Sequence, residues 1–86
     1  MPELELVGRA QGGDREAFET LYRRHLRRIF NLVYRLVGSQ DAEEVTQEAF
    51  YQVYRTLSAF ENRSSFYTWI YRLARNVTLH HLRASK

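Results

Sequence analysis

Residues 14–38, DREAFETLYRRHLRRIFNLVYRLVG, decide the fold. Within them Phe18, Leu21, Tyr22, His25, Ile29, Leu32, Val33 and Leu36 recur at i, i+3, i+4 and i+7, the spacing of one buried helix face. Asp14 stands where an N-cap belongs, with a carboxylate able to accept from free backbone N–H groups, and Gly38 closes the helix. Upstream, a short helix from Glu3 to about Arg9 ends at the breaker pair Gly12-Gly13. Downstream, Ser39 or Asp41 caps a third helix whose buried stripe is Ala42, Val45, Ala49, Val53 and Leu57. Ser58 to Ser64 loses the period and reads as a loop. Ser64 or Ser65 then caps a fourth helix, with Phe66, Trp69, Ile70, Leu73 and Val77 at helical spacing. No alternating strand pattern occurs, so the expected fold is all-α: a compact bundle of three long helices plus a short N-terminal helix.

Eighty-six residues make one small domain, 1–86. The absence of Cys excludes a disulfide framework, a thiol nucleophile and the usual zinc finger. No apolar run approaches the roughly 20 residues that span a bilayer, and the acidic start Met1-Pro2-Glu3-Leu4-Glu5 is unlike a signal peptide. A cytoplasmic protein with no membrane partner is expected. Twelve of the thirteen basic residues are Arg, whose planar fork suits phosphate and whose face stacks on bases. A GC-rich genome gives the same Arg bias, so the count alone does not decide.

Charge position is more informative. Residues 1–40 carry +2, residues 41–61 carry −4 and residues 62–86 carry +5, giving the total of +3. Such a division suggests two partners on two surfaces. On the third helix Glu44, Gln47, Glu48, Tyr51 and Arg55 lie opposite the apolar stripe, with Asp41 at its edge and Phe50 beside Tyr51. That face is either an ordinary solvated one or a docking surface for a basic helix. On the fourth helix Thr68, Tyr71, Arg72, Arg75, Asn76 and Arg83 gather with no acid among them. Tyr67 and Trp69 flank this face, and the preceding loop adds Phe60, Arg63 and Phe66. Cations can hold phosphates, rings can stack on unpaired bases, and a capped polar loop can read one extruded base. Against this, Phe66 fits a core position, as Phe60 and Trp69 also could.

These residues resemble a known family. Asp41-Ala42-Glu43-Glu44-Val45-Thr46-Gln47-Glu48-Ala49-Phe50, then Phe60 to Ser64, then Ser65-Phe66-Tyr67-Thr68-Trp69-Ile70-Tyr71-Arg72-Leu73-Ala74-Arg75-Asn76 closely resemble region 2 of bacterial sigma factors, in the extracytoplasmic-function (ECF) group. Asp14 to Phe18 with Leu21-Tyr22 is similar to that group's opening helix. The resemblance implies docking on the clamp helices of the largest subunit (β′) of core RNA polymerase through Asp41, Glu44, Gln47, Glu48 and Arg55. It also implies recognition and melting of the promoter −10 element by binding the non-template strand. Phe60, Glu61, Asn62, Arg63, Ser64 and Ser65 would form the pocket for a flipped base, and Tyr67, Trp69, Tyr71, Arg72, Arg75 and Asn76 would run along the strand. An anti-sigma factor is a further implied partner. Thr46 stands where the family usually has an aliphatic residue, Tyr54 where Trp is common, and His80 where Asp is frequent. The family's second domain, region 4, does not follow Arg83-Ala84-Ser85-Lys86, so a fragment of a longer protein is expected.

Two other classes compete. A regulatory module that only sequesters a protein partner would not need the Arg72/Arg75/Asn76 face. An enzyme would need a site that the sequence does not offer. His80 and His81 are neighbours about 100° apart on a helix, a poor metal pair, and His25 sits on the apolar stripe as a hydrogen-bonded core residue. No nucleophile–base set or Gly-rich phosphate loop occurs. Neither catalysis, nor a metal, nor a cofactor is expected.

Overall fold

Asp14 starts the longest helix as its position suggests. The structure, a computed structural model, describes residues 1–84; Lys86, counted in the basic C-terminal segment, lies outside them. The helices are α1 (Glu3–Gln11), α2 (Arg15–Val37), α3 (Ala42–Thr56) and α4 (Phe66–Ala84), with a 3₁₀ turn at Leu57–Ala59 after α3. Asp14 Oδ1 accepts from Ala17 N–H at 3.1 Å, satisfying one of the donors that a helix start leaves bare. Its Oδ2 lies 2.9 Å from the Arg9 guanidinium, an ion pair that joins α1 to the start of α2. At the other end of α2, Gly38 adopts φ 84 and donates its N–H to Tyr34 O at 2.9 Å. A side chain at that φ would be strained, so Gly is the residue that lets the chain turn there.

α2 is the central element. Ala17, Leu21, His25, Ile29 and Val33, each four residues on, form its buried row, with Leu32 beside them. This row packs against α1, α3 and α4, and α3 in turn packs on α4. α1 contributes Leu6 and Val7; α3 contributes Ala42, Val45, Ala49, Phe50 and Val53; α4 contributes Phe66, Ile70 and Ala74. Sealing a side chain of the size of Leu or Ile stabilises the fold by about 1.5–3 kcal/mol. His25, buried in this row, brings Nε2 within 2.7 Å of Glu3 Oε1. A carboxylate only accepts, so Nε2 carries the proton. The expected hydrogen-bonded core histidine is found.

The departures are local. α1 runs to Gln11 instead of Arg9. Leu57 is buried but belongs to the 3₁₀ turn, not to α3. Leu36, assigned to the α2 stripe, is 40% exposed, and Val37 beside it packs against the core instead. Phe18 and Tyr22 are partly buried, meeting Tyr54 and Phe50 edge-on with centroids 5.1 and 4.8 Å apart. Phe50 therefore belongs to the core, at 6% exposure, and not to the outer face of α3 where Tyr51 stays 56% exposed. The buried row of α4 is Phe66, Ile70, Ala74 and Thr78, while Trp69, Leu73 and Val77 flank it half-buried. Thr78 fits because its hydroxyl donates to Ala74 O at 2.8 Å. Asp41 occupies the N-cap position of α3 without a side-chain cap bond. Its carboxylate turns instead to His81 Nε2 of α4, 3.3 Å away.

Candidate nucleic-acid interface

Ser65 sets the geometry of the site. Its Oγ accepts from Thr68 N–H at 3.1 Å and lies 2.9 Å from Thr68 Oγ1, so the polar loop enters α4 at a fixed angle. Beneath the loop Phe60, Phe66 and Trp69 pack together, with Phe60 to Trp69 centroids 5.1 Å apart and Phe60 to Phe66 5.7 Å apart. Phe60 is only 5% exposed. Its ring is thus a wall under the loop, the core position that the sequence also allowed for it; an apolar ring beside Phe66 is more stable sealed than wet. Trp69, half-buried on the same cluster, spends one face on it.

The loop's backbone is held from the far end of the chain. Gln11 Nε2 of α1 donates to Leu57 O at 3.0 Å and to Phe60 O at 2.9 Å. Beyond Phe60, Glu61, Asn62, Arg63 and Ser65 are exposed and Ser64 is half-exposed. Asn62 adopts φ 60, the left-handed conformation that Asn tolerates better than most side chains. Arg63 lies 3.5 Å from Glu61, so part of its charge is answered within the loop. Ser64 Oγ donates to Ser65 O at 3.1 Å.

Along α4, Tyr67, Thr68, Tyr71, Arg72 and Arg75 line an open groove of about 470 Å³. The two tyrosine rings lie 5.9 Å apart and tilted by 56°. Among the described residues neither Arg72 nor Arg75 has a carboxylate within 4 Å. Tyr67 is braced by α2: His25 stacks on it at 5.8 Å and 24°, and Arg28 places its guanidinium carbon 3.9 Å from the ring centroid. Sequence reasoning did not find Gln11 or Arg28. Each acts across the bundle on residues far along the chain, and helical spacing carries no signal for that.

Asn76 is exposed one turn on from Arg72. It lines a second concavity, about 740 Å³, between α3 and α4, where Val45, Leu73 and Val77 meet Glu44, Glu48 and His80. Of the residues expected to dock polymerase, Glu44 and Glu48 edge this concavity, and Glu48 Oε2 accepts from Gln52 at 2.8 Å. Gln47 faces a different one, about 710 Å³, between α2 and α3. Arg55 approaches the exposed Tyr51 ring at 5.7 Å. No helix among the described residues is long and apolar enough to cross a membrane, and no three metal-ligating side chains gather among them.

The comparisons with known proteins meet this geometry. The family described as Sigma-70 region 2 matches residues 21–86. The chain is 44% identical over 81 residues to the RNA polymerase sigma-H factor of Pseudomonas aeruginosa, covering 93% of this chain and 42% of that protein. It is 46% identical over 77 residues to the ECF RNA polymerase sigma-E factor of Escherichia coli K12, covering 90% of this chain and 40% of that one. The chain thus spans about two fifths of these relatives. Among solved structures, it is similar to an engineered region 2 of sigmaE in complex with GTAAAA, with a TM-score of 0.92 and 40% identity, over 98% of this chain and 88% of that one. The family match and the four-helix geometry agree: this chain belongs to the Sigma-70 region 2 family, as a region 2 domain of the ECF sigma-factor class.

Proposed function

We propose that the protein recognises a promoter −10 element by holding its non-template strand, unpaired, along α4 while the loop at 61–65 takes one extruded base. The observation that carries this reading is the groove of Tyr67, Tyr71, Arg72 and Arg75, where two exposed cations stand beside two rings with no acid among the described residues to neutralise them. The relative that shares this fold is bound to the oligonucleotide GTAAAA, which supports the same ligand class here. Binding alone drives strand opening, and no covalent step is involved. Each base stacked on an aromatic ring contributes roughly 1–3 kcal/mol. Two such bases offset the loss of about one to four duplex steps at ~1.4 kcal/mol each.

The acidic face of α3 is the second surface in this proposal. Glu44 and Glu48, on the side of the bundle that also carries Asp41, present negative charge to a basic helical partner. In the sigma-factor reading that partner is the pair of clamp helices of the largest polymerase subunit. An anti-sigma factor covering the same face would block docking and leave the α4 groove open. The direct test is fluorescence anisotropy with single-stranded GTAAAA, with each base changed in turn and with the matching duplex as competitor. Preference for the single strand and loss of binding on base change support the proposal; equal or tighter duplex binding overturns it.

A further inference from the structure

Arg28 lies on α2, outside the loop and helix that carry the proposed site, yet it reaches Tyr67. Its guanidinium carbon is 3.9 Å from the ring centroid, a stacking distance. Stacking uses the face of the guanidinium and leaves the N–H groups along its edge available. Arg28 is exposed, and among the described residues none of those N–H groups is engaged by a hydrogen bond or a carboxylate. Of the neighbouring arginines, Arg27 lines the concavity between α2 and α3, away from Tyr67, and the other two are engaged. Arg23 pairs with Glu19, and Arg24 donates to Met1 O at 2.8 Å. Tyr67 is itself a wall of the groove that holds Arg72 and Arg75.

We infer that Arg28 is a phosphate-binding residue of this groove, so that a bound single strand passes from α4 onto α2 across Tyr67. The inference rests on the proposed strand binding and extends it to a second helix. Arg28, held against Tyr67 at the wall of the groove, offers a fork for a phosphate of the strand that Arg72 and Arg75 also meet. Its position is fixed before binding, which lowers the ordering cost that a free arginine would carry. A residue that merely props Tyr67 would act through packing and would release no counterion. A phosphate contact is read in the salt dependence of binding.

The test is the affinity of the chain for single-stranded GTAAAA across a series of salt concentrations. Arg28→Gln weakens binding several-fold and makes the log–log salt slope shallower by about 0.7, the value for one phosphate on a single strand. Arg28→Lys keeps the wild-type slope, because the charge remains, with affinity between the two. Arg23→Gln leaves slope and affinity as in the wild type. An unchanged slope in Arg28→Gln overturns the inference, even if affinity falls. If Arg72→Gln and Arg75→Gln lower the slope and Arg28→Gln does not, only the α2 extension fails. If the wild type shows no salt-dependent binding at all, the strand-binding reading fails with it.

Discussion

Gln11 of α1 donates to the carbonyl of Phe60 at 2.9 Å, joining residues 49 positions apart. The same amide reaches Leu57 O at 3.0 Å, which also accepts from Phe60 N–H, so one side chain meets the Phe60 carbonyl and ties it to the end of the 3₁₀ turn. The loop that begins at Phe60 is therefore anchored to the first helix of the chain. Gln11→Ala should destabilise the domain by about 1–3 kcal/mol, the cost of leaving the partly buried Phe60 carbonyl unmet. It should also raise amide exchange at residues 58–63 above that of the helices. Thermal unfolding and hydrogen exchange check both, and exchange unchanged at the loop would show the anchor to be dispensable.

Asn62 separates backbone from side chain within the loop. Its φ of 60 suits Gly at least as well as Asn. Asn62→Gly should therefore keep the melting temperature, whereas Asn62→Val should lose about 1–2 kcal/mol to the left-handed backbone. If the amide reads an extruded base, both variants lose discrimination among oligonucleotides changed at one base. Anisotropy with such a series measures this.

Thr46 is 3% exposed, and its hydroxyl has no hydrogen-bond partner among the described residues. Valine has nearly the same shape without the polar atom. Thr46→Val should stabilise the domain by about 1 kcal/mol, raising Tm by roughly 4–8 °C for a domain of this size. A Tm at or below that of the wild type would mean that the hydroxyl finds a partner in solution.

Asp14 gives the fold a dependence on acid. The Ala17 N–H that it accepts holds its carboxyl below the ordinary 3.8; desolvation opposes this in part, and the Arg9 guanidinium adds to the lowering. A depressed folded-state pKa means that the contribution is present above 3.8 and is lost as pH falls through the lower folded value. Asp14→Ala should therefore melt earlier than the wild type at neutral pH, with the gap closing in strong acid. Melting curves of both proteins across that range test the sign.

The two charged surfaces should respond independently. Arg72→Ala and Arg75→Ala should weaken single-strand binding and flatten its salt dependence, with Tm nearly unchanged because both side chains are exposed. Glu48→Arg should weaken docking on core polymerase while leaving oligonucleotide affinity largely intact. Pull-down of polymerase and anisotropy, run on the same variants, read the two effects separately. A Glu48→Arg variant that gains polymerase binding would reverse the assignment of the acidic face.

Much of this was legible in the residues themselves. Helix spacing marked Leu21, His25, Ile29 and Val33 as one buried row because a helix places side chains by its own period, whatever lies across from it. Asp14 and Ser65 were readable as caps because capping is a bond between near neighbours. The run of charge separated an acidic α3 from an acid-free α4. What the residues could not give was partnership across the bundle. Phe60 sits in a polar loop, and only the docking of α4 turns its ring inward against Phe66 and Trp69. Asn76 stands one turn beyond Arg72, and the packing of α3 on α4 makes it also edge a second groove. Arg28 and Gln11 acquire their roles when α2 meets Tyr67 and α1 meets the 3₁₀ turn. Sequence fixes the angle of a side chain about its own helix, whereas the packing of helix on helix decides what that side chain touches.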